Sequence, residues 1–187
     1  MTGEERRGFH QGLLEEYGTR GEALYVLLTA FLALAVNGFA AYFTKQPLLF
    51  PSLSPTVFSI FRQPLSKDSS PRNAIIGHFV AIAVGFAALY AFGLLHHPSV
   101  LVEGVTLARI GAAASSAAVS EALLILMRRP HTPAGTTTLL VSLGLFTTPG
   151  QLGSLAVGIV LVTVSGWAIN RSLGVPVPLW SPKQDAG

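Results

Sequence analysis

Apolar residues along this chain fall in long runs separated by short polar clusters. Four runs, roughly Glu22 to Thr44, Pro71 to Leu95, Val100 to Met127 and Pro149 to Asn170, are long enough to cross a bilayer as helices. Two shorter runs lie between them. "PLLFPSLSPTVFSIF" (47–61) is broken by Pro51 and Pro55, and "PAGTTTLLVSLGLF" (133–146) opens on Pro133. Ahead of the first span, Phe9, Leu13, Leu14 and Tyr17 recur at helical spacing among charges. This predicts a short amphipathic helix within 1–21 lying on the membrane surface. Glu4, Glu5, Glu15 and Glu16 in that stretch, with no small-residue cleavage site, do not fit a removable signal. The expected organisation is this interfacial helix, a transmembrane domain over 22–172 and a cytoplasmic tail over 173–187.

Composition agrees with a membrane chain. Of the 187 residues, 50% are hydrophobic and 11% charged, against roughly 25% charged in soluble domains. There is no cysteine, which excludes disulfides and thiolate metal sites.

The placement of positive charge bears on whether the short runs cross. With six crossings and the N-terminus inside, Arg6, Arg7, Arg20, Arg62, Lys67, Arg72, Arg128, Arg129, Arg171 and Lys183 are cytoplasmic. Only Lys45 and Arg109 of the 12 basic residues then lie toward the outside. If the short runs dip in and return, the 12 divide evenly. The positive-inside rule favours six crossings, with both termini in the cytoplasm, in keeping with a prokaryotic cytoplasmic membrane.

The chain also repeats. Ser54-Pro55 and Ser70-Pro71 are matched by Thr132-Pro133 and Thr148-Pro149, one offset carrying 55 to 133 and 71 to 149. Each pair is a hydroxyl residue before proline, a favoured helix start. Duplicated halves, 22–95 and 100–170, follow. Three crossings per half make the second half enter from the opposite face. The expected fold is therefore an all-α polytopic bundle with an inverted 3+3 repeat and two short interrupted helices, an arrangement that puts binding sites at the interruptions. A helix from Pro55 to Arg62 is about 12 Å long, near half the hydrocarbon core. On that geometry the half-helix starts at Ser54 and Thr132 meet near mid-depth. Two such N-termini favour an anion.

At this point two motifs carry a family resemblance. "HTPAGTTTLL" resembles the His-Pro-Pro signature of the HPP family of integral membrane proteins. "PSLSPTVFSIFRQPLSKDSSPRNAIIGH" resembles that family's upstream segment, with Pro71, Arg72, Asn73, Gly77 and His78 in its Pro-Arg-Asn and Gly-His positions. The similarity covers roughly residues 25 to 172. Some members are associated with nitrite transport, so the resemblance implies a small-anion transporter or channel with nitrite as lead candidate. The chain departs from the pattern at Thr132, where the signature has proline, and at Ser52-Leu53-Ser54-Pro55, where a Gly-Ala-Ser type turn is expected. The family is usually described with four spans, against the six that the charge pattern supports.

Candidate substrate contacts are Ser52, Ser54, Thr56, Asn73, His78, His131, Thr132, Thr136 and Arg109. His131 and Glu121 are candidates for coupling or gating. His131 otherwise caps a turn. Mid-helix threonines often bond the preceding turn's carbonyl, and Thr137 and Thr138 are expected to pack against neighbours. His78 either clamps the Ser54 loop or contacts the ligand, while Arg72 anchors the interface. Glu121 and Arg109 are ionisable residues within a span, costly in lipid. Arg109 could draw anions from outside, and Glu121 could carry a proton or pair with Arg62 or Arg128. "GAAASSAAVS" (111–120) is a small-residue face for close helix packing or a homo-oligomer contact. His96-His97 beside Glu103 are a weak metal signal, and none is expected. No cofactor motif, nucleotide site or nucleic-acid interface is apparent. The partners expected are a small inorganic anion and the bilayer. A scaffold or regulatory subunit is the competing reading. A lipid-acting membrane enzyme is disfavoured, since few carboxylates stand within spans.

Overall fold

The computed structural model describes residues 9–181, and among them every regular element is a helix. They are α1 (Phe9–Tyr17), α2 (Thr19–Thr44), α3 (Leu53–Arg62), α4 (Pro71–Ala91), α5 (Val100–Glu103), α6 (Leu107–Leu126), α7 (Ala134–Ser142) and α8 (Pro149–Ser172). Four of them, α2, α4, α6 and α8, are long and apolar enough to cross a membrane; α3 and α7 are about half that length.

Each long helix buries one narrow stripe and leaves an apolar remainder outward. In α2 the buried stripe is Gly21, Tyr25, Thr29, Ala33 and Asn37, one residue per turn. Leu27, Leu28, Phe31 and Phe43 stand 55–76% exposed on its other side. A water-soluble bundle would put such residues inside; here lipid covers them. In α6 the small-residue run supplies Ala112, Ser116 and Ser120 to a buried stripe that begins at Arg109 and ends at Leu124.

The helices pack in two groups. α2, α3 and α8 touch one another, as do α4, α6 and α7, and α4 lies against α8. Side-chain ties order the ends. Tyr25 Oη donates to Asn170 Oδ1 at 2.5 Å, and Asn170 Nδ2 donates to the Ile60 carbonyl at 3.0 Å. Asn73 Nδ2, at the start of α4, donates to Lys67 O and Pro130 O. The start of α2, the ends of α3, α6 and α8 and the start of α4 therefore share one face, the terminal face. At the opposite face Asn37 Nδ2, near the end of α2, donates to Leu48 O and Gly158 O. The tail folds back on the terminal face: Val175 and Val177 are buried, and Arg72 donates to Trp180 O and Ser181 Oγ.

Several expected boundaries shift. The third long span starts at Leu107, not Val100. Gly104, at φ 82, breaks the chain after α5, and Thr106 then caps α6 by accepting from the Arg109 N–H. Of the four hydroxyl-proline starts, two are N-caps. Ser70 accepts from Asn73 N–H, and Thr148 forms a capping box with Gln151. The other two are not: Ser52 precedes α3, Pro133 precedes α7, and neither makes a side-chain cap. α7 also stops at Ser142, before Gly144 at φ 80.

Candidate functional site

α4 contributes the centre of a buried polar cluster. His78 lies seven residues into the helix, about 10 Å below the terminal face, and is fully buried. α3 brings Ser52 and Thr56, and α7 brings Thr137, all fully buried. His131, 1% exposed, arrives from the loop before α7. Gly77 makes room for it: a Cβ there would meet His131 Cβ at 2.8 Å. A side chain at 77 would force His131 to shift.

The cluster is one hydrogen-bonded chain. Thr137 Oγ1 donates to Ser52 Oγ at 2.8 Å. His78 Nδ1 lies 2.8 Å from Thr137 Oγ1, and its Nε2 lies 2.8 Å from Thr56 Oγ1 and 3.1 Å from His131 Nε2. His131 Nδ1 donates to the main-chain oxygen of Asp68 at 2.8 Å. The Asp68 carboxylate accepts from Thr132 N–H at 2.7 Å and from Ser59 Oγ at 2.5 Å.

Proton counting follows from these partners. A carbonyl only accepts, so the neutral His131 proton sits on Nδ1 and its Nε2 is bare. With Thr137 donating to Ser52, His78 must donate from Nδ1, which leaves its Nε2 bare as well. The contact between the two ε nitrogens then accommodates one added proton. With the hydroxyls turned the other way, His78 carries its proton on Nε2 and donates to His131. The orientation of the hydroxyl run is thus linked to the His78 tautomer.

The remaining candidates divide. Thr132 and Thr136 are exposed and line a groove of about 320 Å³ with Pro55, Ser59, Arg62 and Asp68. Thr136 Oγ1 bonds Pro133 O within its own turn. Ser54 is exposed and outside the cluster; the α3 start meets α7 through Ser52, bonded to Thr137 in the first turn of α7. Asn73 is a loop tie rather than a cluster member. Arg109 is fully buried at the far end of α7, donating to Ser142 O at 3.2 Å and Pro98 O at 2.7 Å, with Glu103 3.7 Å away. It closes the opposite face and does not touch the histidines. Glu121 is half-buried beside Gly135, and Arg62, one partner suggested for it, pairs with Glu22 at 3.4 Å. His97 bonds Glu103 at 2.9 Å.

Asp68 and Ser59 were not singled out by sequence reasoning, and Thr137, expected only to pack against neighbours, bonds Ser52 and His78. Asp68 carried a signal: it is the only acidic residue between Glu22 and Glu103. Thr137 carried none, since neighbouring threonines on an apolar helix differ only in which side faces inward.

Long apolar helices around two half-length helices and a buried imidazole-hydroxyl chain define a polytopic membrane protein. The family model for the HPP transmembrane region matches residues 15–177, nearly the whole chain. The chain belongs to the HPP family. No curated protein and no solved structure matches it.

Proposed function

We propose that this chain is a channel or gradient-driven transporter for a small inorganic anion, with nitrite the lead candidate, and that it performs no catalytic step of its own. One observation carries the reading. In lipid an apolar core is the cheaper way to join helices, and buried ionisable groups mark pathways. Here two imidazoles and three hydroxyls, all buried, sit together in one hydrogen-bonded cluster between the half-length helices.

Packing supports an inverted 3+3 repeat. Among these six helices, exchanging α2 with α6, α3 with α7 and α4 with α8 leaves the set of well-packed pairs unchanged. The close approaches match too. Gly77 and Gly85 of α4 abut His131 and α7, while Gly158 and Gly166 of α8 abut the 48–50 segment and α3, each pair two turns apart. In this reading the terminal face is cytoplasmic, since Arg20, Arg62, Lys67, Arg72, Arg128, Arg129 and Arg171 gather there. The imidazole pair is the coupling site if the anion moves with a proton. Glu121 flanks the α7 start beside Gly135.

The competing reading is a scaffold or regulatory subunit, favoured by one fact: every member of the polar chain already has a partner. Purified protein in liposomes separates the two. Nitrite uptake, competed by nitrate, formate or chloride and abolished in His131→Ala, supports transport. Wild-type vesicles that pass no small anion leave the scaffold.

A further inference from the structure

We propose that Asp68 is the latch of a gate at the terminal face, formed where loop 63–70 closes on the start of α7. Its carboxylate lies in the wall of the groove with Ser59, Arg62, Thr132 and Thr136. Its main-chain oxygen lies on the far side, accepting from buried His131. One residue therefore separates the open groove from the imidazole pair. The rest of the loop is fastened elsewhere: Ser69 Oγ donates to Ser59 O on α3, and Asn73 on α4 holds Lys67 O. The loop meets the α7 start through two polar ties, the His131 bond to the main-chain oxygen and the carboxylate's contact with Thr132 N–H, and only the second is made by the side chain.

The repeat offers a contrast. Moving Asp68 by the offset that carries Ser70 to Thr148 gives Phe146, whose ring packs edge-on to Phe50 at 5.8 Å. The opposite end is thus closed by an aromatic contact and by Arg109, the terminal end by a charged group on a backbone N–H. A carboxylate so held is a tethered anion. A free anion of the same shape can replace it at Thr132 N–H, with Ser59 and Arg62 alongside, whereas an aromatic pair offers nothing to exchange. The direction of this exchange rests on the anion-transport reading; the latch itself rests only on geometry.

Because the chain has no cysteine, a single introduced thiol reports access. Ser52→Cys places it inside the polar cluster at a fully buried position. In purified full-length protein, labelling by a small methanethiosulfonate is slow while the latch holds. Asp68→Ala raises the rate on the order of 10- to 100-fold, the population change expected from losing a charge-assisted hydrogen bond. Ser59→Ala, which removes one donor to the carboxylate and a hydroxyl contact with Ser69 but keeps the Ser69 bond to the Ser59 carbonyl, gives a smaller rise in the same direction and decides the matter if Asp68→Ala fails to fold. Unchanged labelling in folded variants of both residues overturns the latch, whatever the flux. Faster labelling with no nitrite flux in wild type or variant keeps the latch and removes the transport reading.

Discussion

Replacing Thr137 by valine deletes one hydroxyl and nearly keeps the side chain's shape. Thr137 lies between Ser52 Oγ and His78 Nδ1, both at 2.8 Å and both in fully buried residues. The substitution leaves two buried polar atoms without that partner. Side-chain hydrogen bonds between membrane helices average about 0.6 kcal/mol and reach about 1.7, so losing two costs roughly 1–3 kcal/mol. Thr136→Val is the control: its hydroxyl bonds only the Pro133 carbonyl of its own turn, on an exposed position. That change falls within about 0.5 kcal/mol of wild type. Unfolding in mixed micelles with rising dodecyl sulfate, followed by tryptophan fluorescence, measures both. Equal effects at 136 and 137, or a Thr137→Val midpoint unchanged, would refute the inward register of α7 and with it the polar chain.

Arg109→Lys weakens the bundle by about 1.5–3 kcal/mol, because one ammonium cannot reproduce the guanidinium's reach to both Ser142 O and Pro98 O; the same micelle titration reads it, and a variant as stable as wild type contradicts the clamp. Gly77→Val forces Cβ onto His131 and costs about 1–3 kcal/mol as overpacking, with nitrite flux falling more than in a variant of equal stability elsewhere. Thr148→Ala costs about 0.5–2 kcal/mol through its lost capping box, while Ser54→Ala, at a position that caps nothing, leaves the unfolding midpoint in place.

The long helices could be read from hydropathy because lipid demands an apolar surface all round, whatever the neighbours are. Helix ends were less legible. Val100 to Met127 looks continuous by hydropathy, but Gly104 and the Thr106 cap decide where α6 begins. The repeat's proline offsets pointed to α4 and α8 correctly, yet Ser54 and Thr132 sit beside prolines that are not first helical residues. His78, His131, Ser52 and Thr56 were legible as candidates because polar atoms in an apolar run stand out. Their partners were not. Whether 136 or 137 faces inward depends on how α7 packs, not on its sequence, and Asp68 reaches the α7 start across 64 residues of chain.

The grouping of helices has a consequence for biosynthesis. α4, α6 and α7 complete their mutual contacts as soon as α7 has been made, whereas α2 and α3 must wait for α8. Asn170, holding both Tyr25 and Ile60, lies near the C-terminal end of that last helix. During translation the first-inserted helix therefore stands in the bilayer with Tyr25 and Asn37 lacking their α8 partners, while the central triad assembles ahead of it. A ribosome stalled before residue 149 would yield a chain that is half assembled and open along one side, the side a quality-control protease or chaperone would meet first.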